Sequence, residues 1–211
     1  MDEKAWQVLN EALTEVMNRF RNFFIGPGVN MREEAVPFRQ REEFVAPLVT
    51  VMGHTYGVRL LADENPDAPP ILEVSVNVYS DEFQPERFKQ RLMEEYRPER
   101  VVQTIQNFMT VRDEAYVQKS KNPLLFASFF DLDFDRDLRI VRKEKKTASK
   151  VTGKMVDTIL QVYYHIRPEA LKLFVEDPKL FASAVYLYCL RVFTLAYRKS
   201  LTLADRRLLS R

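Results

Sequence analysis

Cysteine, histidine and glycine are scarce in this chain of 211 residues. Cys189 is the only cysteine, which excludes an internal disulfide and suits a reducing compartment. His54 and His165 are the only histidines, so metal sites built from several histidine and cysteine ligands are excluded. None of the five glycines forms Gly-x-Gly-x-x-Gly, and Val151-Thr152-Gly153-Lys154 lacks the upstream glycine and the hydroxyl residue of a P-loop.

Long apolar runs are also few, and the single prominent one predicts a buried helix. Leu180–Tyr197 has 18 residues with one charge, Arg191, which is near the lower length limit for a membrane span. A central arginine costs about 2.5–3.5 kcal/mol in a bilayer. We therefore expect a core helix in which Cys189 is buried and inert. The polar, acidic N-terminus predicts no secretory signal, so the expected location is the cytoplasm or an intracellularly assembled particle such as a virion.

The first third of the chain predicts a helix followed by a small sheet. Apolar residues recur at helical spacing over Trp6–Phe24. Leu48–Met52 and Val58–Ala62 flank a five-residue, glycine-bounded loop (53–57) that is typical of a hairpin, with His54 as a solvated turn residue. Leu72–Tyr79 alternates apolar and polar residues, which predicts a third antiparallel strand with one wet face.

The second part contains an apparent internal duplication. Residues 101–130 align without a gap on 156–185, with ten identities in thirty positions, including Phe126/Phe181, Ala127/Ala182 and Ser128/Ser183. We expect 101–143 and 156–199 to be equivalent helix pairs, with Phe126 and Phe181 as core anchors. Pro123–Lys143 is therefore predicted to be helical, although Phe130–Leu138 also alternates like a strand.

Prolines and N-cap residues are consistent with helices after residue 81. Pro85, Pro98, Pro123, Pro168 and Pro178 suit first helical turns, and Asn122 and Asp177 are good N-caps. The predicted fold class is α+β: an N-terminal helix and a three-stranded antiparallel sheet in 1–83, then a helical region with the internal repeat in 84–211. A single contiguous core is as compatible with the pattern as two domains.

Charge is strongly segregated along the chain. Residues 1–138 carry 24 acidic and 16 basic side chains, a net charge of −8, whereas residues 139–211 carry 6 and 16, a net charge of +10. The densest basic segment, 139–154, contains seven cations and one carboxylate: Arg139, Arg142, Lys143, Lys145, Lys146, Lys150 and Lys154, with Glu144. The segment is compatible with a solvated turn, with contact to a phosphate backbone, and with head-to-tail pairing of subunits.

No catalytic set emerges from the residue pattern. Neither histidine lies near a candidate nucleophile, and His165 is interpreted as a helix-end residue. The series Asp131, Asp133, Asp135 and Asp137 lacks the glycine and the final glutamate of a calcium loop, and a magnesium site there is the less favoured alternative. We expect no enzyme activity, no metal and no cofactor.

These observations lead to a ranked functional prediction. The first is a non-catalytic structural subunit that assembles into a larger oligomeric, viral or nucleoprotein particle through head-to-tail acidic and basic contacts. The alternative is a nucleic-acid-binding accessory protein that contacts phosphates through the seven cations of 139–154. A membrane partner is not expected.

Overall fold

An antiparallel β-sheet with helices packed on one face forms the computed structural model of this chain. The structure describes residues 3–23, 30–38, 42–51, 54–79, 83–95, 129–145 and 155–200. Its helices are α1 (Glu3–Phe23), α2 (Pro85–Glu95), α3 (Phe134–Asp137), α4 (Pro168–Glu176) and α5 (Pro178–Ser200). Its strands are β1 (Asn30–Phe38), β2 (Glu42–Val51), β3 (His54–Leu61), β4 (Ile71–Tyr79), β5 (Phe130–Asp131), β6 (Leu138–Lys145) and β7 (Met155–Ile166).

The seven described strands occupy six positions in the sheet. Their order is β1-β2-β3-β4-β7, and β5 and β6 both pair with the outer side of β7. Every neighbouring pair is antiparallel. The β4–β7 pair joins the two parts of the chain, because its register runs from Ile71 opposite His165 to Tyr79 opposite Asp157.

The predicted amphipathic helix is confirmed as α1. Its buried side chains recur at three- and four-residue intervals, at Leu9, Leu13, Val16 and Phe20, so one stripe faces the core. Phe20 stacks on Tyr186 of α5, with ring centroids 4.7 Å apart.

The predicted alternation of Leu72–Tyr79 is likewise confirmed. Leu72, Val74, Val76 and Val78 of β4 are fully buried on the helix side, where they join the apolar side chains of β3 and β7 in one core. On the other face, Gly57 of β3 allows a close approach: a Cβ atom there would lie 2.4 Å from Cδ2 of Leu48.

Helix α5 is the centre of this core, as the apolar run predicts. Ten of its described side chains are buried, at positions spread over several faces of the helix: Phe181, Ala182, Ala184, Val185, Leu187, Tyr188, Cys189, Val192, Phe193 and Ala196. Burial raises the pKa of the Cys189 thiol well above its usual value. Among the described residues, no helix has the length and hydropathy needed to cross a membrane.

The predicted hairpin loop is wrong in its length. Val51 pairs with His54, so only two residues separate β2 from β3. Residues 54–57 therefore belong to β3, and the Tyr56 ring is buried against Phe193 with centroids 5.4 Å apart. His54 accordingly begins a strand and is not a loop residue.

The prediction of three strands and a helical second part is also corrected. β1, β5, β6 and β7 were not predicted. The proposed helix Pro123–Lys143 is, over its described residues, the short strand β5, the single turn α3 and most of β6. Neither the i, i+4 spacing nor the alternation of Phe130–Leu138 predicts this order, because β5 and β6 are extended where they pair with β7 and α3 is the turn between them.

The predicted equivalence of 101–143 and 156–199 fails where the structure describes both members. Residues 129–143 form β5, α3 and β6, whereas their counterparts 184–198 belong to α5. Residues 156–166, predicted as helix, form β7. Most of the first copy, including Phe126, Ala127 and Ser128, lies outside the described residues, but Phe181 is a buried core residue as predicted.

Several helix starts follow the predicted proline positions. α2, α4 and α5 begin at Pro85, Pro168 and Pro178. Asp177 caps α5 as predicted, because its Oδ1 accepts a hydrogen bond from the backbone N–H of Leu180 at 3.2 Å. Pro98, Pro123 and Asn122 lie outside the described residues.

Replacing Phe181 with alanine should lower the free energy of unfolding by about 3–5 kcal/mol, because the ring is fully buried and packs on Phe174. Urea denaturation followed by circular dichroism measures this difference. Leu173→Ala on α4 is the matched control, because Leu173 is 41% exposed. Equal losses in both variants would contradict the assignment of Phe181 to the core.

Candidate functional site

The sheet face opposite the helices carries a band of polar side chains along β7. Gln161, Tyr163 and His165 alternate with the buried residues Val162 and Tyr164, so the three polar residues point away from the helices. All three are partly exposed. This polar face, together with the edge strand β6 beside it, is the part of the described molecule richest in functional side chains.

Glu73 of β4 lies buried in the middle of this polar face. Its carboxylate accepts hydrogen bonds from Arg59 Nε at 2.9 Å and Arg59 Nη2 at 3.1 Å, and from Gln161 Nε2 at 3.3 Å. Arg59 faces Glu73 directly in the β3–β4 register. The two-pronged contact compensates for the loss of hydration, so this carboxylate is fully engaged in structural contacts.

Tyr163 lies beside this ion pair and contacts β6. Burial and the nearby Glu73 carboxylate raise the pKa of the Tyr163 phenol, and the opposing effects of Arg139 and Arg59 do not cancel that rise. The phenol is therefore neutral near pH 7, and the nearby Arg139 guanidinium acts on its pKa in the lowering direction. Arg139, the first cation of the basic segment, is thus linked to the polar face.

A second buried carboxylate, Asp137, anchors the α3 turn to β7. Its Oδ1 accepts a hydrogen bond from Arg136 Nε at 2.7 Å and lies 3.1 Å from His165 Nε2. Its Oδ2 accepts from Arg136 Nη2 at 2.8 Å and from the backbone N–H of Asp133 at 2.9 Å. Burial raises the pKa of Asp137, but these hydrogen bonds outweigh burial and lower it to about 2.

His165 is therefore placed differently from the prediction. It is the penultimate residue of β7 and not a helix-end residue, and its ring contacts the Asp137 carboxylate. The aspartate orients the imidazole, as it would in a catalytic dyad. Among the described residues, the contacts of the pair are with Arg136 and the backbone of Asp133, and they include no nucleophile.

The four aspartates of 131–137 do not converge on a common point. Asp131 bonds Arg167, Asp133 caps the backbone N–H of Asp135 at 3.0 Å, and the Asp135 carboxylate meets Lys89 at 3.2 Å. Asp137 has the separate partners described above. Within the described ranges, no group of three or more potential ligands could hold a metal ion.

The basic segment is placed on a β-hairpin at the edge of the sheet. Arg139, Arg142, Lys143 and Lys145 lie on β6, and Lys145 pairs with Met155 of β7. Residues 146–154, which include Lys146, Lys150 and Lys154, therefore connect the two paired strands but lie outside the described residues. The structure thus gathers four of the seven predicted cations on one strand. Their role in binding stays a prediction.

Sequence reasoning missed the polar cluster around Glu73 and Asp137. The alternation of β4 already places Glu73 on the wet face, yet nothing in the sequence indicates its burial. Its partners lie 14 and 88 residues away, on β3 and β7. Only the pairing of β4 with β7 brings them together.

Replacing Asp137 with asparagine should lower the free energy of unfolding by about 2 kcal/mol at pH 7, from the pKa shift between 3.8 and about 2. A lowered folded-state pKa gives stability that is complete above the unfolded pKa and is lost as pH falls through the folded pKa. The difference between the two proteins should therefore shrink between about pH 4 and pH 2. Urea titrations across this range measure it. Asp135→Asn is the control, because its carboxylate is 92% exposed; a pH-independent Asp137 effect would contradict the assignment.

Comparison with known proteins adds no family to this description. No family model, curated protein or solved structure matches the chain.

Proposed function

We propose that the chain is a non-catalytic structural subunit that assembles with other protein chains, in a larger oligomeric, viral or nucleoprotein particle, through the edges of its sheet. The observation that supports the proposal is that the two outer strands of the described sheet have an unpaired side. Among the described strands, β1 and β6 each have a neighbour on one side only. They are nine and eight residues long.

Long edge strands of this kind are favourable templates for another chain. Their outward N–H and C=O groups can form the backbone hydrogen bonds of an added strand, so monomeric proteins usually shorten or cover such edges, or place lysine and proline on them. Edge addition is a recurrent mode of protein recognition, in which the backbone supplies affinity and the side chains supply specificity.

The charges of the two edges favour a specific kind of contact. β6 carries four cations and one carboxylate, a net charge of +3, whereas β1 carries Arg32, Glu33 and Glu34, a net charge of −1. The next strand, β2, adds Glu42 and Glu43, while the connection between β1 and β2 contains two arginines. The cations on β6 oppose its pairing with another β6 and favour an acidic partner strand.

Reversing the charge of β6 should abolish assembly. Sedimentation velocity at tens of micromolar and low salt should show wild-type species larger than 24.9 kDa, which shrink as salt rises. Arg139→Glu with Lys143→Glu should sediment as a monomer. Lys172→Glu with Lys179→Glu, on exposed positions of α4 and α5, makes the same change in charge and should still assemble. A strictly monomeric wild type under these conditions, with no partner recovered from its native source, would contradict the proposal.

A second candidate function, binding to the nucleic-acid backbone, is favoured by the hairpin formed by β6 and β7. Four cations share β6, and residues 146–154, which lie outside the described residues, contain three more. Lysine and arginine side chains along such a sheet edge can contact the phosphates of a nucleic-acid backbone. On this proposal the cations contact phosphates and read no sequence.

Neutralising Lys145, Lys146 and Lys150 to glutamine should then weaken binding uniformly across nucleic-acid sequences. The slope of log affinity against log salt concentration should fall by about 3, one for each lost phosphate contact. Fluorescence anisotropy with labelled duplexes of two unrelated sequences measures both effects. Lys172→Gln with Lys179→Gln serves as the control. Unchanged affinity in the triple variant, or no wild-type binding at low salt, would reject this function.

A further inference from the structure

We infer that the partner strand for β6 is β1 of a second copy of this chain, added antiparallel so that the two sheets become one continuous sheet. The inference rests on the proposed assembly function and specifies its partner, its geometry and its register. Three features of the described strands support it: their directions, their faces and their charges.

Strand direction makes this contact possible without turning the second copy over. The described strands occupy six positions and each neighbouring pair is antiparallel, so the outermost of them, β1 and β6, run in opposite directions. A copy shifted sideways in the plane of the sheet therefore places its β1 antiparallel to β6. Its helices remain on the same side of the joined sheet, so the helical layers also continue.

The pairing registers within the chain determine which positions share a face. Position 32 lies opposite Leu48, which lies opposite Gly57, so the even positions of β1 share the face of Gly57. Following the pairs from Gly57 through Ser75 and Gln161 leads to Arg139, so the odd positions of β6 share that face too. A continuous sheet must pair even positions of β1 with odd positions of β6. The allowed registers therefore differ by steps of two residues.

Among the registers that pair six or more residues of each strand, charge favours one. With Glu34 opposite Arg139, one direct pair is attractive and no like charges face each other, since Arg32 then lies opposite Val141. A step of two residues in one direction places Arg32 opposite Lys143, and the attraction between Glu33 and Arg142 only offsets that repulsion. A step in the other direction places Arg32 opposite Arg139 with no attractive pair. The selected register pairs Asn30–Ala35 with residues 138–143.

Such a contact joins two different surfaces of the same chain. It is heterologous, so each added copy presents a fresh β1 and a fresh β6, and growth ends only if the twist of the sheet closes a ring. Pairing of β6 with β6 would instead place net charges of +3 against each other. The expected assemblies are therefore rings or filaments rather than two-fold dimers.

Disulfide trapping of the selected register provides the test. Position 31 lies opposite position 142 in this register, and directly opposed Cα atoms of antiparallel strands are within disulfide range. Met31→Cys and Arg142→Cys are made in separate chains, which leaves Glu34, Arg139, Arg32 and Lys143 unchanged. The chains are oxidised alone and mixed, at the concentration at which the wild type assembles. Glu144→Cys mixed with Met31→Cys is the control for register, and the native Cys189 is buried and should not compete.

We expect covalent dimers in the mixture of Met31→Cys and Arg142→Cys. Neither chain alone, nor the Glu144→Cys mixture, should form them. Dimers from either single chain would establish like-with-like edge pairing and overturn the inference. Dimers in the Glu144→Cys mixture would establish another register and also overturn it. Sedimentation separates the remaining outcomes: an assembled wild type with no cross-link rejects this partner but leaves assembly through another surface, whereas a monomeric wild type rejects the assembly function itself.

Discussion

The pairing of β4 with β7 is the interaction on which the rest of this structure depends. Nine residues of each strand face each other, although at least 78 positions separate the paired residues in the chain. Closing so long a loop costs conformational entropy that local contacts do not repay. The compensation comes from the core, where the buried side chains of β4 and β7 form a continuous apolar surface under α5. β5 and β6 then use β7 as their template, and α4 and α5 follow directly from its end.

The same pairing creates the polar face and its two buried carboxylates. Glu73 receives its partners from β3 and β7, and Asp137 receives its partners from its own turn and from His165 of β7. Buried ion pairs of this kind add little net stability compared with apolar residues, because both charges lose their hydration. They do destabilise any structure in which the strands pair in the wrong register, because a carboxylate would then lose its partners. A slip of one residue between β4 and β7 would place Glu73 and Gln161 on opposite faces of the sheet and break their hydrogen bond.

The edges of the sheet link this architecture to the proposed function. An antiparallel sheet with an even number of positions ends in two strands of opposite direction, so copies can add side by side without being turned over. An odd number would place the outer strands in the same direction, and a simple shift would then give parallel pairing. The sequence alone is compatible with a solvated turn, a phosphate contact or a subunit contact for the basic segment. Its residues 139–145 lie on one of these outer strands. This position is compatible with the phosphate contact and with the subunit contact, because an edge strand can pair with another strand or bind a polyanion.

Local patterns in the sequence determine α1, β4, the starts of three helices and the buried character of α5. In each case a short stretch carries the whole signal: an apolar stripe, a two-residue alternation, a proline at a first turn, or an apolar run. Only the tertiary structure decides that residues 138–145 and 155–166 are strands, because their extended form depends on the edge of β4 and on each other. The burial of Glu73 and the contact between Asp137 and His165 depend on the pairing of these strands. Their partners are distant in sequence and adjacent only across the assembled sheet.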